Sequence, residues 1–294
     1  MPSLAACGGR AAHAKHGPGG DPAAVAGVLQ AFGAARVYVM AGDDVLKAGL
    51  GVVDSSGLDP AQVRPRTPLL SNVSGNGTRI VIGGSDIDPS EGGFATDGVF
   101  ELQGDRLTTL AQPGSGLFGP TISSAGKIVA VRAGGGFATW SPEAHRWIPD
   151  PRLRHTRLNG LATGVGGRRF AILRANTPAA RLIEVTRTGS RDLGSAYCGV
   201  LLVASADRPL VATTLPINPP ARGACEKPRA RVVSTPGRTA ELPAGWSPLA
   251  WSRGSARLLV AHADEIGVWD PGTQRMVASA PVGTHVWMAA PIWG

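Results

Sequence analysis

The sequence is poor in lysine, cysteine and tyrosine, and it has no long apolar run. Four of its 29 basic residues are lysines, and its 294 residues include 3 cysteines and 2 tyrosines. Charged residues make up 17% of the chain and apolar residues 43%, a balance that excludes a disordered protein and suffices for a buried core. No apolar run approaches the ~20 residues that a membrane-spanning helix requires, so we expect no such helix.

The common catalytic and ligand-binding motifs are also missing. There is no phosphate-binding loop, no G-x-S-x-G nucleophile turn and no aspartate box of the S-x-D-x-G-x-x-W type. The six histidines are isolated, with no second ligand at metal-binding spacing. Asp86, Asp88 and Glu91 lie close together but lack the calcium-hand pattern, so we interpret them as a solvated turn. We therefore predict no catalytic residue, no cofactor and no metal site.

Glycine and proline, in contrast, are abundant. The 41 glycines and 24 prolines are dispersed between short apolar runs along the whole chain. This distribution is typical of an all-β protein with many turns.

One pattern of strands and turns recurs along the chain. The two clearest copies are "GPTISSAGKIVAVRAGGGFATWSPEAHRWI" (119–148) and "SPLAWSRGSARLLVAHADEIGVWDPGTQRMV" (247–277), in which the turn residues Gly126 and Gly254 match. Weaker copies have the turn at Gly77, Gly167 and Asp207. A repeat of about 40–50 residues in an all-β chain is typical of a β-propeller.

The two chain ends complete the repeat. Five units of four strands cover roughly 71–282. The segment 283–294 is typical of a first strand alone, whereas 35–56 together with 62–68 is typical of the second, third and fourth strands. Joining them gives a sixth blade and removes two open sheet edges. We therefore predict six blades, with seven as the alternative.

This organisation predicts a single propeller domain over 21–294. We expect the ring to close where the strand around Val286–Ala290 pairs with Val37–Met40. Before the first strand, Asp21 supplies an N-cap and is followed by a proline, which predicts a short helix at 22–32.

Several of these segments resemble a known family. "ARVYVMAGDDV" (35–45), "SSAGKIVAV" (123–131) and "SPLAWSRGSARLLVA" (247–261) are similar to the repeats of TolB-type six-bladed propellers. "GVWDPGTQ" (267–274) also resembles the W-D corner of WD repeats. The resemblance implies a scaffold in the bacterial envelope that binds other proteins.

The three cysteines bear on the compartment. "LAAC" ends at Cys7 and matches the end of a lipoprotein signal, which makes Cys7 the candidate lipidation site and residues 1–20 a flexible tether. Cys198 and Cys225 lie in one repeat and are predicted to form a disulfide. If the true start lies upstream of Met1, these features predict an exported envelope protein that contacts the membrane only through Cys7. With the start as given, the alternative is a cytoplasmic protein.

The charge of the chain is high and unevenly distributed. The formal net charge is +8 with a pI near 10.2, and arginines dominate 152–191 while acidic residues cluster in 86–105. We predict a polarised surface that orients a protein or peptide partner, with no specific nucleic-acid binding and a monomeric chain. The alternative is a solvated surface without a partner. The candidate basic patch consists of Arg168, Arg169, Arg174 and Arg181.

Two classes of function are open, and the lining of the central channel distinguishes them. A propeller hydrolase or lyase needs two carboxylates, or a carboxylate with a histidine, near one substrate position. A channel lined by alanine, glycine, serine and threonine indicates a binding protein, which is the function we expect. A carbohydrate binder is a further alternative, because four tryptophans cluster near the closing blade: Trp246, Trp251, Trp287 and Trp293.

Overall fold

The computed structural model describes residues 20–43, 48–60, 69–85, 98–104, 106–175, 177–215, 225, 229–234 and 239–293. In this part of the chain, six four-stranded antiparallel sheets form a ring, accompanied by one α-helix. The fold is the predicted six-bladed β-propeller, and the seven-bladed alternative is wrong. Cys7 with its tether and the acidic residues 86–97 lie outside the described residues, as does 62–68.

The first elements along the chain are α1 (Pro22–Phe32), β1 (Arg36–Ala41), β2 (Gly49–Asp54) and β3 (Gly57–Pro60). Blade two contains β4 (Leu69–Gly75), β5 (Ile80–Ser85), β6 (Gly98–Gln103) and β7 (Arg106–Ala111). Blade three contains β8 (Leu117–Ile122), β9 (Ile128–Arg132), β10 (Phe137–Ser141) and β11 (Arg146–Pro149). Blade four contains β12 (Asn159–Thr163), β13 (Arg169–Leu173), β14 (Arg181–Val185) and β15 (Ser190–Ser195). Blade five contains β16 (Leu202–Ala204), β17 (Leu210–Thr213), β18 (Arg231–Ser234) and β19 (Thr239–Glu241). Blade six contains β20 (Ser247–Trp251), β21 (Leu258–His262), β22 (Glu265–Asp270) and β23 (Arg275–Pro281), and β24 (Val286–Ile292) follows it.

The first blade is built from both ends of the chain, as predicted. Its strand order is β24-β1-β2-β3, and Val39 lies opposite Ala289 in the antiparallel pair. Its fourth strand, however, is β3, which starts earlier than the predicted 62–68. The reason is a tight turn, in which the Asp54 carboxylate accepts a hydrogen bond of 2.8 Å from the Ser56 backbone N–H and the strand resumes at once.

The core lies between adjacent blades. In β5, Ile82 packs towards the first blade, whereas its neighbour Val81 packs towards blade three. In β9, Ile128 faces blade two and Val129 faces blade four. Successive side chains of a strand point to opposite faces. Each second strand is therefore apolar on both faces, which explains the unbroken apolar runs in the sequence.

Helix α1 has the predicted bounds and covers the side of the ring next to the first blade. The Asp21 carboxylate accepts a hydrogen bond of 3.0 Å from the Ala23 N–H, and Gly33 ends the helix with a φ of 84°. The buried face of the helix packs against β23, and Phe32 lies against Trp293 with ring centroids 5.6 Å apart. No helix in the described part of the chain is long and apolar enough to cross a membrane.

The predicted disulfide is present. Cys198 and Cys225 are joined, with their Cα atoms 6.0 Å apart. The bond ties the loop before β16 to the segment before β18, so it lies within blade five.

Candidate binding site at the channel mouth

The first strands of the six blades surround a central channel. β4, β8, β12, β16, β20 and β24 contact one another in a closed ring. A cavity of about 110 Å³ lies at one end of the channel, and a cavity of about 350 Å³ lies at the other. We call the first end the turn mouth, because the turns between the first and second strands surround it. The second end is the opposite mouth.

Short polar side chains fold the turns of the turn mouth. The Ser123 hydroxyl accepts a hydrogen bond from the Lys127 N–H at 3.0 Å, and the Ser252 hydroxyl accepts one from the Arg257 N–H at 3.0 Å. In blade two, the Asn76 side-chain oxygen accepts a hydrogen bond from the Arg79 N–H at 2.9 Å. These bonds satisfy the backbone while the chain reverses, which is why the repeats share a Ser/Asn-Gly signature.

The lining of the turn mouth combines small polar side chains with apolar ones such as Leu161, Leu249 and Trp293. The polar uncharged side chains are Asn72, Ser74, Asn76, Thr121, Ser124, Thr163 and Ser252. Small residues leave the space open, namely Gly75, Ala162, Ala204, Ala206, Ala250 and Ala289. Among the described residues, the only charged side chains in this lining are Asp207 and Arg253. No cluster of three or more metal-ligating side chains occurs in the part of the chain that is described.

The one carboxylate in this lining is engaged in holding two blades together. Asp207 accepts hydrogen bonds from the Gly254 N–H at 2.7 Å and from the Ser255 hydroxyl at 3.5 Å. The Ser255 hydroxyl also bonds to the Ser205 hydroxyl. Asp207 therefore joins the turn of blade five to the turn of blade six.

One hydroxyl on the channel wall has no hydrogen-bond partner among the described residues. Thr163 ends β12 and is 8% exposed, and its buried Oγ1 bonds to no described group. Leaving a buried hydroxyl unsatisfied costs about 1–3 kcal/mol. The turn mouth thus contains a polar group whose hydrogen bond the described residues do not supply.

Most blades also carry a cation next to the start of the second strand. The members of this set are Arg79, Lys127, Arg168, Arg208 and Arg257. In two blades a glutamate on the third strand forms an ion pair with this cation. Arg79 binds Glu101 in blade two, and Arg168 binds Glu184 at 2.5 Å in blade four. The hydrogen bond from Arg168 lowers the pKa of the Glu184 carboxyl, against the opposing effect of burial.

The other three of these cations, Lys127, Arg208 and Arg257, lack such a glutamate among the described residues. At the equivalent position of the third strand, blade three has Thr139, blade five has Ser234 and blade six has Val268. Lys127 and Arg208 are exposed, and among the described residues no carboxylate pairs with either. Arg253, at the rim of the same mouth, is also exposed and has no ion pair with a described residue.

The four arginines of the predicted basic patch are spread over the length of a strand. Arg168 and Arg169 lie at the start of β13, whereas Arg174 follows its last residue and Arg181 lies opposite that residue on β14, roughly 17 Å away at the usual strand rise. Arg181 pairs with Asp192, and Arg174 is exposed. As a partner surface this set stays a prediction.

Arg169 belongs to a buried cluster that sequence reasoning missed. Its guanidinium binds Asp150 at 2.8 Å and lies over the Phe137 ring at 4.5 Å from the centroid. Arg152 binds the same carboxylate at 2.6 Å. Burial raises the pKa of the Asp150 carboxyl, but the hydrogen bonds from Arg152 and Arg169 outweigh burial and hold that pKa well below its usual range. The sequence feature that could have indicated this cluster is Asp150, the aspartate directly before the arginine-rich segment 152–191.

The opposite mouth has a different chemistry. Its described lining is uncharged and includes Phe118, Leu201, Trp287 and Met288. The Trp287 ring stacks on His285 at 3.9 Å between centroids, and burial, together with His262, lowers the pKa of His285. This mouth therefore offers an apolar surface without a described charged group.

The tryptophans do not form one platform. Trp251 and Trp293 line the turn mouth, whereas Trp287 lines the opposite mouth. The Trp251 indole N–H donates to the Val203 carbonyl at 3.0 Å, and Trp246 lies against His262. The four rings are thus divided between the two ends of the channel and the spaces between blades.

These features define the chain as a six-bladed β-propeller with a polar mouth at one end of its channel. Its structure is similar to that of TolB from Acinetobacter baumannii, with a TM-score of 0.60, 13% identity, and coverage of 87% of this chain and 66% of that one. The chain thus spans just under two thirds of the length of TolB. The sequence matches no protein-family model and no curated protein.

Two lyases are more distant structural relatives. An oligogalacturonate lyase in complex with manganese has a TM-score of 0.45 and 15% identity, with coverage of 69% of this chain and 63% of that one. A catalytically inactive virginiamycin B lyase from Staphylococcus aureus has a TM-score of 0.44 and 13% identity, with coverage of 69% and 67%. At these levels the similarity concerns the arrangement of blades and not the chemistry.

Proposed function

We propose that this protein is an exported, envelope-associated propeller that binds a partner protein or peptide at the turn mouth and does not catalyse a reaction. The observation that carries the proposal is the lining of that mouth. Its polar groups are mostly small hydroxyl and amide side chains set among alanines and larger apolar residues, and its one described carboxylate, Asp207, already bonds to the next blade. Such a lining supplies hydrogen bonds to a ligand but no acid–base pair.

Two further observations support this proposal. The Cys198–Cys225 bond is typical of proteins in oxidising compartments such as the bacterial periplasm. The TolB-like fold is consistent with the same compartment. Anchoring through a lipid on Cys7 stays a prediction.

Site-specific crosslinking tests the proposed function. A photoreactive amino acid is placed at Ser124 or Ala206, which are exposed at the turn mouth, and for comparison at Arg154, which is exposed on the loop after β11. In the native host we expect one discrete crosslinked product from the two mouth positions and none from Arg154. Equal crosslinking from all three positions would contradict the proposal.

A parallel activity screen covers the enzymatic alternative. The purified protein is assayed on ester, glycoside and lactone substrates, and we expect no turnover. Turnover that disappears in Asp207→Asn, with the fold retained by circular dichroism, would establish an enzyme and overturn the binding function.

A further inference from the structure

Some cations in or next to the turns around the turn mouth form no ion pair with a described carboxylate. Lys127, Arg208 and Arg253 belong to three different blades, and each is exposed. Blades two and four show what compensation looks like, because Glu101 and Glu184 neutralise the equivalent arginines there. Among the described residues, no carboxylate neutralises any of the three exposed cations in this way.

The remaining charges near this mouth do not cancel them. Asp207 is the only described carboxylate in the lining, and its oxygen is directed at the Gly254 N–H. Arg257 adds a further cation, whose guanidinium donates to the Ala31 carbonyl of α1 and not to an acid. The described part of the turn mouth thus has a net positive charge.

We propose that the ligand of the turn mouth is an acidic peptide segment of a partner protein, held by Lys127, Arg208 and Arg253. This inference rests on the proposed function and specifies the chemistry of its partner. Carboxylates spaced along a peptide would pair with the three cations around the rim, while polar lining groups such as Ser124 and Asn76 bond to its backbone.

A peptide fits this mouth better than a nucleic acid does. The cavity of about 110 Å³ has room for a side chain but not for a duplex, and Arg253 is the one cation in its described lining. The disulfide also favours an oxidising compartment, in which nucleic acids are uncommon partners.

Binding of a fluorescent oligoglutamate peptide, measured by anisotropy, tests the proposal. We expect the wild-type chain to bind this peptide at low salt, to lose most of the affinity at about 300 mM salt, and to ignore an oligolysine peptide. In the triple variant Lys127→Glu, Arg208→Glu, Arg253→Glu, the affinity should fall by about 30-fold or more.

A matched triple variant keeps the test specific. Arg154, Arg157 and Arg174 are exposed on the loops that follow β11 and β13, at the ends of these strands that point away from the turn mouth. Their replacement by glutamate changes the net charge by the same amount as the first triple variant. We expect this variant to bind oligoglutamate within about twofold of the wild-type affinity. Equal weakening in both variants would overturn the proposal, because binding would then depend on overall charge.

Other outcomes separate this proposal from the proposed function. Tighter binding of a short DNA duplex than of oligoglutamate would overturn the acidic peptide and indicate a polyanion surface. Crosslinking at Ser124 and Ala206 tests the binding function, and the mouth variant, Lys127→Glu, Arg208→Glu, Arg253→Glu, tests the acidic peptide. If crosslinking succeeds but this variant keeps both its crosslinked partner and its oligoglutamate affinity, the binding function stands and the acidic peptide is wrong. If crosslinking fails and the variant also keeps its oligoglutamate affinity, the binding function and the acidic peptide are both wrong.

Discussion

Asp150 follows β11 in blade three and Arg169 opens β13 in blade four, so their ion pair joins two neighbouring blades. The Arg169 side chain is only 8% exposed, and it also donates to the Thr139 hydroxyl at 3.3 Å. Arg152 shares the carboxylate and reaches the Thr186 carbonyl of blade four at 3.4 Å. A single carboxylate thus positions two guanidinium groups between blades, and loss of Asp150 would leave the buried Arg169 guanidinium without a carboxylate partner among the described residues.

Removing Arg169 therefore tests this cluster. We expect Arg169→Ala to lower the free energy of unfolding by about 2–3 kcal/mol, because it removes the buried guanidinium that bonds to Asp150 and lies over the Phe137 ring, while Arg152 still pairs with the carboxylate. Arg181→Ala is the control, since its pair with Asp192 is about half exposed and should contribute less than about 1 kcal/mol. Urea denaturation of both variants measures the difference, and equal losses would contradict the structural role of Arg169.

The depressed pKa of Asp150 predicts how stability depends on pH. The folded-state pKa lies below the unfolded value of about 3.9, so the contribution of this carboxylate is complete above the unfolded value and is lost progressively as the pH falls from there through the folded-state pKa. We expect the free energy of unfolding to drop between about pH 5 and pH 2, and to drop less steeply in Asp150→Asn. Parallel pH curves for the two proteins would exclude Asp150 as the source.

Among the elements, the turn after β4 is the one that receives the end of the chain. The Trp293 N–H donates to the Gly77 carbonyl at 3.0 Å, and Gly77 forms a bridge with Ile292. Gly77 has a φ of 98°, and a Cβ at this position would lie 2.1 Å from Cδ1 of the Trp293 ring. Both the backbone conformation and the close approach therefore require glycine here.

Gly77→Ala should weaken this contact between blade two and the chain end. We expect it to lower the free energy of unfolding by more than Gly104→Ala, by about 1–3 kcal/mol, because the alanine forces the Trp293 ring aside. Gly104 is a matched control, since its φ of 58° is also positive while its Cβ would meet open space. Thermal or urea unfolding of the two variants gives the comparison, and similar losses would show that the Trp293 contact is unimportant.

At the scale of the whole molecule, the repeat predicted the ring but not its charge pattern. Turn residues such as Gly126 and Gly254, together with apolar runs buried on both faces, recur at each second strand and could be recognised from the sequence alone. The ion pair of Asp150 with Arg169 could not, because it depends on which blades become neighbours. Nor could the sequence distinguish compensated Arg79 from uncompensated Lys127, since that depends on the register of the third strand.

Closure of the ring predicts that the fold depends on its last strand. β24 contacts β1, β4 and β20, so its removal would expose three strands of three different blades. We expect a chain that ends at Gly283 to lose its single cooperative unfolding transition and to associate, and we expect the peptide 284–294 added in trans to restore both properties. The same peptide with Ala290→Asp is the control, because Ala290 is fully buried and a carboxylate there should abolish rescue. A truncated chain that unfolds with the wild-type midpoint and denaturant dependence would show that the ring does not need β24 to close.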